Sequence, residues 1–144
     1  MKLVNFELSE PAFAIELLGL GLVWDLHNAG TFLGLELNAA DNTAVLRWNV
    51  SGHPSPKYSG CDLIFRNLRS VVISPRDAEL PLSEDDRISG ISKVVPNDAG
   101  EARYRVRNEW GADEPFRLWF EFQSQGTIEI DSETVEMVGV AKDR

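Results

Sequence analysis

Phe116–Val140, FRLWFEFQSQGTIEIDSETVEMVGV, is the stretch whose reading decides the fold. Leu118, Phe120 and Phe122 fall on one face of an extended strand, with Trp119, Glu121 and Gln123 on the other. After a turn signal at Ser124-Gln125-Gly126, Ile128 and Ile130 alternate with Thr127, Glu129 and Asp131, the period of a half-buried antiparallel strand. Val135 and Met137 predict a third pass. A meander with one apolar face needs a second layer, which the rest of the chain must supply.

Immediately upstream, 103–107 reads as a strand with Tyr104 and Val106 inward and Arg103, Arg105 and Arg107 outward, joined to the meander by a Trp110–Pro115 loop. Pro96–Gly100 is a strong turn, and Ile88, Ile91, Val94 and Val95 form an apolar segment before it. Arg76–Asp86 contains Pro81 and the acidic residues Asp77, Glu79, Glu84, Asp85 and Asp86, so it is expected as an exposed connection. Leu63, Phe65, Val71 and Ile73 predict either two short strands around Arg66–Ser70 or one long strand with a bulge. Ser51–Gly60, with two prolines and two glycines, is a surface loop.

In the N-terminal half, Leu33, Leu35 and Leu37 share one face of a hairpin arm and Ala44, Leu46, Trp48 and Val50 one face of the other, with Ala39–Asn42 between them. Residues 1–8 alternate as a first strand. Ser9 then reads as a helix cap, and Phe13, Leu17 and Leu20 at helical spacing predict a short helix over Pro11–Leu18, ended by Gly19 and Gly21; a buried strand is the alternative for the same residues. The expected fold is mainly β, an antiparallel sandwich or flattened barrel of about eight strands with one short N-terminal helix, in a single domain spanning 1–144.

A chain of 144 residues can bury a core without a disulfide or metal staple. The formal charge of -9 opposes attraction to nucleic-acid phosphates or anionic lipid and favours a basic protein partner. A single cysteine, Cys61, leaves no intramolecular disulfide and no cysteine metal cluster, which points to a reducing compartment; the expected location is the cytoplasm. The longest N-terminal apolar run, Leu17–Trp24, is less than half of the roughly 20 residues that span a bilayer.

Leu26-His27-Asn28-Ala29-Gly30, Leu33–Leu37, Leu63–Val71, Arg87–Ile91 and Gly126–Ile130 together resemble small uncharacterised bacterial all-β domains, some of which are immunity proteins of toxin systems. The likeness covers most of residues 22–138. Those domains open on His-Asp-Ala, whereas Asn28 stands here in place of the aspartate, so a role for a His-Asp pair is not carried over, nor is any catalytic residue. The resemblance implies an immunity-type binding function.

Candidate chemistry is sparse. Asp25 and His27 lie two apart, on one face if both are in a strand, and are the candidate catalytic pair; the ordinary alternative is a histidine that hydrogen-bonds at a strand end. Ser51, Ser55 and Ser59 lack a nucleophile elbow, and Cys61 reads as a small buried thiol. His27 and His53 are not spaced as ligands, Glu84-Asp85-Asp86 lacks the pattern of a calcium loop, and Gly19-Leu20-Gly21 lacks a phosphate-loop lysine, so no metal or cofactor is expected. Arg103, Arg105 and Arg107 are a candidate binding face, although cross-strand pairing with Glu121, Glu129 and Asp131 would use them structurally. Trp110 and Trp119 are the tryptophans expected at the surface, as contact residues for a partner, while Trp48 reads as core. The reading that results is a noncatalytic protein-interaction module, of immunity type, for a basic partner. Its alternatives are a small-ligand binder or hydrolase with a pocket at His27, and a homodimer assembled through Trp119.

Overall fold

The computed structural model describes residues 1–50, 57–96, 104–106, 110–111 and 114–142, with only the backbone of 96 and 104–106. In chain order the elements are β1 (Lys2–Val4), β2 (Phe6–Leu8), β3 (Glu16–Gly19), β4 (Leu22–Asp25), β5 (Gly30–Asn38), β6 (Thr43–Val50), β7 (Tyr58–Ser74), a 3-10 turn (Leu82–Asp86), β8 (Ile88–Pro96), β9 (Tyr104–Val106), β10 (Arg117–Phe122) and β11 (Thr127–Ala141). One sheet runs β5-β6-β7-β11-β10-β8-β9, with β1 lying parallel to β11 beyond the end of β10; a second, small sheet is β2-β3-β4. All other pairings are antiparallel.

The alternation in the C-terminal stretch folds as expected. Leu118, Phe120 and Ile130 are fully buried, and Phe120 stands opposite Ile128 across the β10–β11 pair. No third pass exists, however. β11 continues through the buried Val135 and Met137 as one strand, paired along its whole length with β7 with a register shift at Asp131/Ser132. The same shift opposes Asp131 to Ser70 and Ser132 to Leu68, so Arg69 is the extra residue of a bulge and β7 is the single long strand that the sequence offered as one of two readings.

No N-terminal helix forms. Leu17 is fully buried and Leu18 is 40 % exposed, a period of two that the spacing of Phe13, Leu17 and Leu20 conceals. Leu20 and Gly21 have φ of 56° and 75°, the backbone of the two-residue turn that suits a tight hairpin, so the glycine read as a helix stop instead joins β3 to β4. Ala14 forms a bridge with Ile91 and Pro11 O accepts from Lys93 N, which ties this segment to β8. The first eight residues break into β1 and β2 at Asn5, whose φ is 69°. In the hairpin of β5 and β6 a register shift between Phe32 and Gly34 (φ 145°) turns Phe32 towards Trp48 and leaves Leu33 63 % exposed, against the expectation that Leu33 packs with Leu35.

The large sheet curls into a half-barrel. In a flat sheet β6 and β10, three strand spacings apart, would be roughly 14 Å from one another, and β5 and β10 roughly 19 Å. The ring centroids of Trp48 and Phe120 are 5.9 Å apart and those of Phe32 and Phe122 4.9 Å, so the concave face closes on its own side chains. The small sheet supplies the second layer, adding Phe6, Leu8, Leu17 and Trp24 to the same core as Leu46, Phe65, Ile91 and Met137. Among the described residues no helix is long and apolar enough to cross a membrane.

Candidate binding surfaces

His27 sits just after β4 and turns its Nδ1 to the carbonyl of Ile88, 2.7 Å away; since a carbonyl only accepts, Nδ1 carries the proton. Asp25 is engaged elsewhere. Its Oδ1 accepts from Asn28 N at 2.9 Å and its Oδ2 from Asn28 Nδ2 at 2.8 Å, while Ala29 N donates to Asp25 O, which closes the turn into β5. Asn28 therefore works here as a turn residue, and the two side chains of the candidate pair face different partners. Cys61 is buried in β7, and burial pushes its thiol up to about 12, so it is held as a thiol at neutral pH.

Arg103 and Arg107, with His53, Ser51 and Ser55, lie outside the described residues, and of Arg105 only the backbone is described, in β9 opposite Val95. Two of the three carboxylates expected to pair with these arginines, Glu129 and Asp131, are held by other arginines. Arg117 reaches Glu129 at 2.8 Å and Asp131 at 3.5 Å, and Arg69 reaches Asp131 at 3.2 Å. Glu129, expected outward, is 1 % exposed. Trp119 lies between Ser92 and Glu129 in the register and is half-buried rather than exposed. Trp110 is also half-buried, edge-on to Phe116 with ring centroids 5.7 Å apart.

Two features stand out, one at each end of the half-barrel. At the end where β8 begins, the Arg76–Asp86 connection is exposed at Ala78, Glu79 and Pro81–Ser83 but half-buried at Arg76, Asp77, Glu84, Asp85 and Asp86, and it has a fixed shape. Arg76 donates to Asp85 at 2.7 Å, to Leu80 O at 2.6 Å and to Pro81 O at 2.9 Å, and its guanidinium holds the Asp85 carboxyl below its ordinary range, helped by Ser124. Asp77, Glu79, Glu84 and Asp86 have no ion-pair partner among the described residues, and Leu82 beside them is 76 % exposed. The hollow next to this connection is lined by Phe32, Ile73, Arg76, Asp85 and Phe122.

At the opposite end lies a groove of about 870 Å³, lined among others by Leu3 of β1, Phe6 and Leu8 of β2, Lys93 of β8, and Trp110 and Phe116. Neither Asp25 nor His27 lines it. Lys93 lies five positions along β8 from Ile88, where His27 is bound, roughly 16 Å along the strand. Sequence reading missed Lys93 because a lone lysine in an apolar strand looks like an outward residue. Among the described residues no group of three or more His, Cys, Asp or Glu is placed to hold a metal ion. No family model, no curated protein and no solved structure matches this chain.

Proposed function

We propose that this protein is a noncatalytic interaction module, of the immunity type, that covers a basic protein partner with its acidic end. The observation that carries this reading is the stapled connection: Arg76 fixes a loop bearing Asp77, Glu79, Glu84 and Asp86 around an exposed Leu82. Ordering a charged loop in advance lowers the entropic cost of binding, and an apolar side chain ringed by charge is the arrangement of an interface core with a polar rim. The net charge of -9 adds long-range steering of a cationic surface. The likeness of residues 22–138 to small bacterial β domains, immunity proteins among them, agrees with this class of function.

Copurification from the native host at low and high salt, with the wild-type chain beside a Glu79→Lys, Glu84→Lys, Asp86→Lys variant, tests the proposal. The expected result is a partner of high isoelectric point that is retained at low salt, released at high salt and lost with the variant. A partner that ignores the charge reversal, or a lone monomer at every salt concentration, contradicts it.

A further inference from the structure

The groove at the other end of the half-barrel has a composition that the interaction reading does not use. Lys93 stands opposite Leu118 in the β8–β10 pair and two residues from the fully buried Ile91, so strand alternation points it to the concave, core side rather than to solvent. Its backbone is pinned there, with Lys93 N donating to Pro11 O at 2.9 Å. Its Nζ lies 4.5 Å from the centre of the Phe116 ring, and it has no ion-pair partner among the described residues. Partial burial lowers the lysine below its ordinary pKa, which Glu7 opposes at longer range. Glu7, exposed on β2, lines the same groove without forming an ion pair with Lys93, and Glu114, also in its lining, accepts from Gly111 N at 3.1 Å within its own turn.

An ammonium held partly out of water against a ring, with no carboxylate in ion-pair contact among the described residues, lines a groove that also takes in Met1 and Lys2 and is walled by Leu3, Phe6, Leu8 and Phe116. A ligand with an anionic head and an apolar body would complete both halves: the head replaces the water that the ammonium has lost, and the body covers the aromatic and aliphatic walls. The space, about 870 Å³, falls in the range of pockets that take small organic ligands. We propose that this groove binds a small amphipathic carboxylate, its carboxylate on Lys93 and its apolar body against Phe6, Leu8 and Phe116. The proposal is independent of the acidic end, and either stands if the other fails.

Calorimetric titration of the full chain with octanoate and octyltrimethylammonium below their micelle concentrations, and with octanol below its solubility limit, tests it. Saturable one-to-one binding of octanoate is expected, tighter than octanol by about tenfold or more, because a charge-assisted contact is added to the same apolar body. Lys93→Met should bring octanoate down to the octanol level and leave octanol unchanged. Octanoate no tighter than octanol, a preference for the cation, or full octanoate affinity in Lys93→Met overturns the proposal. The wild-type comparison needs no variant to fold, and amide shift changes on adding octanoate must centre on Lys93 and Phe116; changes centred elsewhere overturn it as well.

Discussion

Glu129 alternates with Ile128 and Ile130 like any outward residue, and nothing in its local sequence separates it from Thr127 or Asp131. Its burial comes from neighbours that the alternation does not name: Trp119 beside it across the β10–β11 pair, and Arg117, which bonds one of its oxygens. Removing one partner of a nearly buried ion pair takes away part of what compensates the other charge, whereas an exposed pair contributes little. Arg117→Ala is therefore expected to destabilise the fold by about 2–3 kcal/mol, and Arg66→Ala, whose pair with Glu136 is exposed, by under about 1 kcal/mol. Urea denaturation of the two variants checks the ranking; equal losses would contradict it. Core identity was readable at this scale for Leu118, Phe120 and Ile130, since hydrophobicity and period suffice there. The roles of Arg117 and Lys93 were not readable, because each depends on which strand lies alongside.

At the scale of elements, the chain marks its turns, and the bulged region of β7, with residues that tolerate a positive φ. Asn5, Asn42 and Asn67 take φ of 69°, 55° and 54°, and their short amides suit that backbone. Gln125, at 68° in the β10–β11 turn, is the exposed exception, with its N–H bound to Phe122 O at 2.9 Å. Gln125→Asn should preserve this bond, relieve part of the left-handed penalty and stabilise by about 0.5–1 kcal/mol, a rise of a few degrees in Tm. Thermal unfolding followed by circular dichroism measures it, and an unchanged or lowered Tm contradicts it. Hairpins were legible because turn chemistry and alternation are local. The N-terminal helix was misread for a local reason too: Phe13, Leu17 and Leu20 fit the helical spacing alone, and the backbone of Leu20-Gly21 decides for the hairpin. The bulge at Arg69 falls in the Arg66–Ser70 stretch for which the sequence offered one as an alternative, whereas the bulge at Phe32–Gly34 is a property of the strand pair that neither arm shows alone.

For the whole molecule, strand content followed from the sequence and the curl did not. Curvature accumulates from the twist of each successive pair and from bulges, and it is visible only when distant strands meet, as β5 meets β10 through Phe32 and Phe122. This curl gives the functional reading its geometry. It sets the stapled acidic loop at one end of a continuous core and the Lys93 groove at the other, where a flat sheet would leave both on an open face. The most direct test is therefore a distance across the concave face. Nuclear Overhauser contacts between the ring protons of Phe32 and Phe122, and between Trp48 and Phe120, are expected in the wild-type protein at the ring separations of 4.9 Å and 5.9 Å. Contacts of Phe32 and Trp48 with adjacent strands alone, and none to β10, would contradict the curled sheet and the placement of both sites.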